Sequence, residues 1–503
     1  MKLRLPKSFY NLISYVGAVI AMVATFMFVF LYTLSSLSTL DKAYVGIVIF
    51  MIIPAFIILG LLLIPIGMLR KRHLERKSGV IRDQDFPVLD LNNPRHRNGA
   101  IIFSICSLVF LFLSALGSYE AYHYTESVTF CGTLCHSIMI PEYTAYHNSP
   151  HARVTCAECH VGAGANWYVK SKLSGLKQVY HTIANDYPRP IPTPVENLRP
   201  ARETCEECHW PQKIYGKQQR VGYYYLSDES NTKWEIDMLM NTGGGNPSLG
   251  QKTGIHWHIN PDVRIEYVTT DEKRETIPRV VLINVASGDT TIYNNTDEPF
   301  DKESAEFAET RVMDCIDCHN RPSHIYNDPA SFVNIAIASG EIDDTLPEVK
   351  RVAVEACVAD YSSTDSAMVG IKDYVSNYYE QNYPDLMQAI NKGRVWTSVA
   401  AIQKAYSQNI FPEMKVSWEK YPNHIGHMTS MGCFRCHDGL HESDDGKVIS
   451  KSCDNCHSIM AQGTKGDMTF ANSQESLEFR HPVDIDEAWR EMNCSDCHSS
   501  LPL

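Results

Sequence analysis

The sequence of 503 residues predicts a membrane-anchored protein with three transmembrane helices and a large exterior domain that is mainly α-helical and irregular, with a β-rich insertion. Three observations predict this fold class. The first 119 residues contain three long apolar runs. One motif of cysteine and histidine recurs along the remainder. Between residues 220 and 296, stretches rich in β-branched and aromatic residues alternate with turn sequences, which is typical of strands.

The recurring motif is Cys-x-x-Cys-His, which occurs six times, and a seventh copy has three residues between its cysteines. In this motif two thiols form thioethers to haem vinyl groups, and the adjacent histidine binds the iron. Zinc sites or disulfides do not explain a histidine directly after every second cysteine. The sequence therefore predicts a multihaem cytochrome c with seven covalently bound c-type haems. The motif residues are Cys131, Cys135 and His136; Cys156, Cys159 and His160; Cys205, Cys208 and His209; Cys315, Cys318 and His319; Cys433, Cys436 and His437; Cys453, Cys456 and His457; and Cys494, Cys497 and His498.

The apolar runs cover residues 11–34, 43–69 and 99–119. Each run is long enough to cross a hydrocarbon core of about 30 Å at about 1.5 Å per helical residue. None contains an internal charge, which would cost roughly 2.5–3.5 kcal/mol at the middle of a membrane. Residues 1–119 are therefore predicted to form a three-helix membrane anchor.

The basic residues predict the orientation of this anchor. Three of them precede the first run and eight lie between the second and third runs, whereas the loop between the first two runs has only Asp41 and Lys42. Because loops rich in Lys and Arg stay in the cytoplasm, the N-terminus is predicted to be cytoplasmic and the haem domain periplasmic. Thioether attachment of haem also takes place outside the cytoplasmic membrane. Both arguments predict an inner-membrane protein.

Charge divides the chain at the same place. Residues 1–119 have 12 Lys and Arg against 5 Asp and Glu, a net charge of +7, and the rest has 33 against 53, a net charge of −20. An acidic exterior attracts basic soluble proteins and accelerates their encounter, although ordinary solubility explains the charge equally well. Nothing in this balance predicts a nucleic-acid partner.

Four segments are predicted in the exterior domain. Residues 120–215 carry the first three motifs, residues 216–325 form the β-rich insertion that ends in the fourth motif, and residues 326–421 have no motif. Residues 422–503 carry three motifs and flanking histidines. This last segment is predicted to be a separate folding unit that can be removed without disturbing the other haems.

The segment without a motif is predicted to be helical. Apolar residues at helical spacing predict helices over residues 347–358, 366–379 and 385–408. Cys357 in the first of these helices is interpreted as a buried apolar thiol.

Histidines outside the motifs are candidates for the second axial position of each iron. Eleven remain once the seven motif histidines and two in the N-terminal basic region are set aside. His424 and His427 lie three residues apart, so crowding favours only one of them, and His427 is preferred. His256 and His258 lie two apart, hence on one face if they belong to a strand. The predicted ligands are His258; His324, which is the nearest in sequence to the fourth motif; and His427, His441 and His481, which flank the last three motifs.

Residues 100–215 resemble the NapC/NirT/NrfH family of membrane-anchored quinol dehydrogenases. The shared order is CHSIM, then Ser149-Pro-His151, then CAECH, a Lys-rich amphipathic run to Gly175, and CEECH. Three spans and seven haems are also similar to inner-membrane cytochromes of metal-reducing bacteria. The resemblance implies that the protein oxidises menaquinol from the membrane pool. It also implies that electrons pass to soluble periplasmic multihaem cytochromes in anaerobic or extracellular respiration.

The same resemblance implies roles for individual residues. In the family a methionine shortly after the first motif holds a haem close to the membrane, and Met139 matches it. Because this sequence has one extra residue between the cysteines and one before the methionine, His136 stays the alternative ligand. His151 is expected to be an axial ligand. Quinol oxidation also needs a base that accepts protons, and the candidates are Lys172, from the family's lysine position, Glu142 and Asp186.

Two other functions remain open from the sequence. The chain is alternatively a membrane electron-donor subunit of one fixed periplasmic complex, such as a nitrite reductase. A terminal haem reductase is the third possibility, but it needs an open iron position, often with lysine in place of the motif histidine. No such motif occurs in the sequence.

Overall fold

The structure is a computed structural model. It describes residues 7–37, 53–78, 90–133, 136–162, 165–195, 199–210, 216–245, 254–301, 303, 307–388, 392–472 and 475–499. The chain forms two compact units. The first unit comprises Met1–Cys131 and Thr155–Tyr180, and the second comprises Gly132–Val154 and His181–Leu503.

The described N-terminal part is helical. Its helices, with those around the first three motifs, are α1 (Leu12–Leu37), α2 (Ile53–Ser78), α3 (Pro94–Thr125), α4 (Val128–Thr133), α5 (His136–His147), α6 (Cys156–His160), α7 (Ala165–Ala184) and α8 (Ala201–Cys205).

Helices α1 and α2 pack closely because small residues line their contact. A Cβ added to Gly60 would lie 2.5 Å from the backbone nitrogen of Ala21, and one added to Gly17 would lie 2.6 Å from the carbonyl oxygen of Gly60. The hydroxyl of Ser14 donates to the carbonyl of Ile64 across the interface at 2.9 Å. Close backbone approach through small residues and an interhelical hydrogen bond is the usual packing of helices in lipid.

Within the described residues, two helices are long and apolar enough to cross a membrane, Leu12–Leu31 and Ile53–Lys77. They correspond to the first two predicted runs, although residues 43–52 of the second run lie outside the described part. The third run lies in α3, a helix of 32 residues. Its side chains Ile102 and Phe112 are more than 60% exposed. Helix α3 is not one of the two helices found, so the third span stays a prediction.

The second unit combines two antiparallel sheets with a helical core. The strands are β1 (Gln218–Tyr225), β2 (Lys233–Met240), β3 (Val263–Thr269), β4 (Arg279–Asn284), β5 (Thr290–Asn295), β6 (Glu309–Val312), β7 (His441–Ser443), β8 (His457–Thr464) and β9 (Asp467–Phe470). The remaining helices are α9 (Cys315–Cys318), α10 (Pro329–Ala338), α11 (Val349–Val358), α12 (Thr364–Asn382), α13 (Lys392–Asn409) and α14 (Cys494–His498).

Both sheets join the insertion to the C-terminal segment. Their strand orders are β1-β2-β8-β9 and β6-β3-β4-β5-β7. Trp234 in β2 lies opposite Thr464 in β8, and Asn295 in β5 lies opposite His441 in β7. The prediction of a separate C-terminal folding unit is therefore wrong. Its strands complete sheets that begin about 200 residues earlier, and an exposed strand edge would be left without them.

The haem-free segment forms the main apolar core, as its periodicity predicted. The observed helices α11, α12 and α13 overlap all three predicted ones, and α13 begins later than predicted because a 3₁₀ turn, Pro384–Met387, precedes it. Asp328 and Ser363 cap the N-termini of α10 and α12 with their side chains. Cys357 is buried in this core, as expected.

Candidate haem centres

Five motif histidines each face a second imidazole from elsewhere in the second unit. The ring centroids lie 5.8–6.3 Å apart. The pairs are His209 with His151, His319 with His256, His437 with His258, His457 with His427, and His498 with His481.

This spacing fits an iron bound between two imidazoles. A ring nitrogen binds a metal at about 2.0 Å and lies roughly 1.1 Å from its ring centre, so two ligands of one metal have ring centres about 6.2 Å apart. The five observed distances, 5.8–6.3 Å, lie close to this value. Within the described residues, no group of three or more His, Cys, Asp or Glu side chains forms a metal cluster of the zinc type. The donor set therefore fits haem iron.

A ring nitrogen of five of these ten histidines, and of His324, contacts a backbone carbonyl. A carbonyl can only accept a hydrogen bond, so an Nδ1 atom that faces a carbonyl carries the proton and leaves the Nε2 lone pair for a metal. Burial lowers the pKa of His258, which helps to keep this ring neutral at physiological pH. The contacts are His151 to Pro322 at 3.1 Å, His256 to Thr242 at 2.7 Å, His258 to Ile255 at 2.6 Å, His324 to Glu142 at 3.2 Å, His437 to Ser450 at 3.0 Å and His481 to Val483 at 2.7 Å.

The residues around His256 and His258 form a 3₁₀ helix, Ile255–Ile259, and not the strand considered from the sequence. With three residues per turn, side chains two positions apart point about 120° away from each other. Each imidazole therefore reaches a different motif histidine. His258 was among the ligands predicted from the sequence and His256 was not, although the His-x-His spacing marked both residues.

A glycine-rich loop positions this 3₁₀ helix. A Cβ on Gly254 would lie 2.4 Å from the carbonyl oxygen of Asn241, so only glycine fits there. The backbone N–H of Ile255 donates to the same carbonyl at 2.7 Å. The side chain of Asn260 donates to the carbonyls of Gly244 and Gly245 at 2.9 and 3.0 Å. Gly254 and the contacts of Asn260 thus hold in place the 3₁₀ helix that carries His256 and His258.

His441 does not fit an axial ligand, so this prediction is wrong. It is fully buried, and both of its ring nitrogens have partners, Asp438 at 2.9 Å and the carbonyl of Ile277 at 2.7 Å. No lone pair remains for a metal. His441 instead ties the C-terminal segment to the sheet, which explains its burial beside the fifth motif.

His324 does not complete the fourth motif, because His256 faces His319 instead. Its Nδ1 atom lies 3.2 Å from the carbonyl oxygen of Glu142, so a role for His324 at another haem stays a prediction. Of the neighbouring residues His424 and His427, it is His427, the preferred ligand, that faces a motif histidine, His457. His424 is 4% exposed, and its Nε2 atom has no hydrogen-bond partner in the described residues.

The attachment cysteines of the third, fourth and fifth motifs are neighbours. A hydrogen bond from the thiol of Cys205 lowers the pKa of Cys315. Burial raises the pKa of both Cys318 and Cys436 to about 12; the thiol of Cys433 adds to the effect on Cys318, and the thiol of Cys318 adds to the effect on Cys436. The third, fourth and fifth haem sites therefore lie side by side.

The series continues to the last motif. Burial, followed by the thiols of Cys433 and Cys453, raises the pKa of Cys456 to about 11. Burial also raises the pKa of Cys494, and Cys453 adds to this effect. Consecutive motifs thus adjoin one another from the third to the seventh, in the order of the sequence.

The first motif is described only in part. A hydrogen bond from the thiol of Cys156, in the second motif, lowers the pKa of Cys131 to about 7. Cys135 and the side chain of His136 lie outside the described residues. Met139 packs against an apolar cluster that contains Tyr326 and Tyr421, so its role as an iron ligand stays a prediction.

The three quinol-site candidates have different surroundings. Lys172 forms an ion pair with Glu126. Asp186 is 83% exposed and lies 3.8 Å from His181. Glu142 is partly buried, and its Oε2 atom has no hydrogen-bond partner. Burial raises the pKa of Glu142, although Arg321 lowers it in part.

Comparisons with known proteins agree with these centres. The family model "NapC/NirT cytochrome c family, N-terminal region" matches residues 93–190. The chain is 44% identical over 489 residues to "Cytochrome c-type protein ImcH" of Geobacter sulfurreducens (strain ATCC 51573 / DSM 12127 / PCA), with 97% of this chain and 95% of that protein covered. No solved structure matches the chain. The chain therefore belongs to the NapC/NirT family of membrane cytochromes c, which carry covalently bound haem and transfer electrons.

Proposed function

We propose that this protein oxidises menaquinol at the cytoplasmic membrane and conducts the electrons through seven c-type haems to soluble periplasmic multihaem cytochromes. The observation that carries this proposal is the series of paired imidazoles on adjoining motifs. A bound haem supplies one-electron chemistry, and the chain decides where each haem is held and what reaches it.

The paired imidazoles favour conduction over substrate chemistry. When two histidines fill both axial positions of an iron, no position remains for a substrate. Five of the seven motifs have such a pair in the described residues. A terminal reductase would keep at least one of these positions open.

The axial ligands are proposed from the same pairs. His151, His256, His258, His427 and His481 serve the third, fourth, fifth, sixth and seventh motifs. His324 serves a haem other than the fourth. Met139 or His136 binds the haem of the first motif.

The topology has three spans, with the N-terminus in the cytoplasm and the haems in the periplasm. Support for the third span comes from the length of α3 and from its apolar side chains, several of which are exposed among the described residues. An odd number of spans then places the haem motifs on the side where haem is attached.

Of the three candidate bases, Glu142 has the surroundings that suit a proton acceptor. Burial keeps its pKa above that of an ordinary glutamate, closer to the pH at which a base both takes up and releases protons. Arg321, which lies against the ring of Tyr421 at 4.0 Å, limits how far this pKa rises. Lys172 is engaged by Glu126 and suits a role in holding local structure or headgroups.

The C-terminal haem site suits delivery to a basic partner. Asp484, Asp486 and Glu487 are exposed and follow His481, whose ring is tied to their loop through Val483. The neighbouring Arg490 is already paired with acidic side chains. The surface beside this site is therefore negative, in keeping with the net charge of −20 over residues 120–503.

The test is reduction by a menaquinol analogue of the purified protein in liposomes. The expected result is reduction of all haems, followed by oxidation when a basic periplasmic cytochrome is added. The variant Glu142→Gln should slow reduction by quinol and leave reduction by dithionite unchanged, whereas Asp186→Asn serves as the exposed control. Failure of quinol to reduce any haem would overturn the proposal. Stoichiometric copurification with one periplasmic reductase would instead favour the fixed-complex alternative.

A further inference from the structure

The side chain of Arg435 lies between the two cysteines of the fifth motif and reaches the fourth. Its Nη2 donates to the carbonyl of Asp317 at 2.7 Å, its Nη1 to the carbonyl of Arg274 at 2.6 Å, and its Nε to the carbonyl of Gly432 at 2.9 Å. All three acceptors are uncharged. Within the described residues, Arg435 forms no ion pair with a carboxylate.

Asp317 stands between the cysteines of the fourth motif, so Arg435 connects the two attachment loops directly. Arg435 directly precedes Cys436, and the carbonyl of Asp317 that it contacts belongs to the residue directly before Cys318. The guanidinium therefore lies beside the attachment loops of both motifs.

The carboxylates of this cluster are paired with other guanidinium groups. The carboxylate of Asp317 accepts from the hydroxyl of Tyr267 at 2.6 Å and from Nε of Arg311 at 3.2 Å. Arg274 and Arg311 also pair with Glu309 at 3.5 and 3.4 Å. Arg435, in contrast, donates to carbonyls and forms no ion pair in the described residues.

Glu275 and Asp271 lie within range of this cluster. Burial raises the pKa of Glu275, Lys273 and Arg435 oppose this effect in part, and Glu275 forms no ion pair with Arg435 in the described chain. Asp271 accepts backbone N–H groups of its own turn with its carboxylate. Neither acid therefore replaces a direct counterion for Arg435.

The opposite ligands of the same two motifs are also fixed together. His256 and His258 lie in one 3₁₀ helix of five residues and face the histidines of the fourth and fifth motifs. The attachment loops are joined on one side and the distal histidines on the other, so the two sites are held as a pair.

We propose that Arg435 is a positioning residue shared by the haems of the fourth and fifth motifs, and that its positive charge, which no carboxylate pairs with in the described residues, raises the reduction potential of both. This inference rests on the proposed haem conduction, in which bound haem would supply one-electron chemistry. A positive charge stabilises the reduced form, because reduction removes one positive charge from the iron centre. The pair thus forms an electron-accepting step in the middle of the series.

The test is a redox titration of the full-length protein, with signals of the two haems identified through the variants His256→Ala and His258→Ala. In Arg435→Gln the equilibrium constant for reducing these two haems should fall about tenfold, which is a shift of about 59 mV for a one-electron couple. Arg435→Lys keeps the charge and should leave both potentials near those of the wild type. Arg279→Gln, which removes a guanidinium bound to Asn294 and stacked on Phe300, is the matched control and should leave both haems unchanged.

The outcomes separate this inference from the proposed function. Unchanged potentials in Arg435→Gln, or an equal shift of every haem, would overturn the role of Arg435. The wild type would still be reduced by quinol in that case. If Arg435→Gln does not accumulate with its full haem content, the potentials of Arg435→Lys test the proposal instead. This variant keeps the positive charge, so a large fall in both of its potentials would show that the charge is not the cause.

Discussion

The variant Trp234→Ala tests whether the insertion and the C-terminal segment share one sheet. Trp234 is 5% exposed in β2, opposite Thr464 in β8. The guanidinium of Arg480, the residue before the proposed ligand His481, lies 5.0 Å from its ring centre. Truncation of a buried aromatic residue costs about 3–5 kcal/mol, and loss of the cation–π contact costs about 0.5–1 kcal/mol more.

This loss is large compared with a typical domain stability of about 5–15 kcal/mol, and it increases opening of the sheet at least about a hundredfold. Limited proteolysis measures the opening, and fragments that keep covalent haem are detected by haem staining. We expect Trp234→Ala to release fragments from residues 457–499 much faster than the wild type does and to weaken the low-spin signal of the seventh haem. Phe470→Ala, at a side chain that is 71% exposed in β9, is the control and should behave like the wild type. Equal cleavage of Trp234→Ala and the control would refute the joined-sheet reasoning.

Three further predictions follow from the haem centres and their surroundings. Intact mass should show seven haems, and a mass with six would exclude attachment at Cys131. The variants His256→Ala and His258→Ala should each convert a different haem from low to high spin by optical and EPR spectra, whereas His441→Gln should convert none. Burial, followed by Arg435, lowers the pKa of His424 to about 3. Between pH 3 and about 6.5 the unfolded chain therefore binds a proton that the folded chain does not, so stability falls as the pH is lowered through this window. In this pH range, His424→Gln should reduce the slope of the unfolding free energy against pH by at most about 1.4 kcal/mol per pH unit. Denaturant titrations at several pH values measure this slope, and an unchanged slope would contradict this account.

The sequence by itself determined the kind of protein and predicted the haem attachment sites. Thioether attachment needs two cysteines and a histidine that are contiguous in the chain, so the chemistry can be read without the fold. Apolar runs and basic loops are also local signals, and they predicted the first two membrane helices. The haem-free helices followed from periodicity, because their core consists of neighbouring segments.

Only the tertiary structure decided which distant histidine faces which motif. His427 and His441 flank the last motifs in the same way, yet one faces another imidazole and the other is held by two hydrogen bonds. In the sequence, His256 and His258 are equivalent members of one His-x-His pair. In the structure they lie in a 3₁₀ helix and face the histidines of different motifs. A second axial ligand and a sheet partner come from remote parts of the chain, so the energy that selects them depends on packing that no local pattern records.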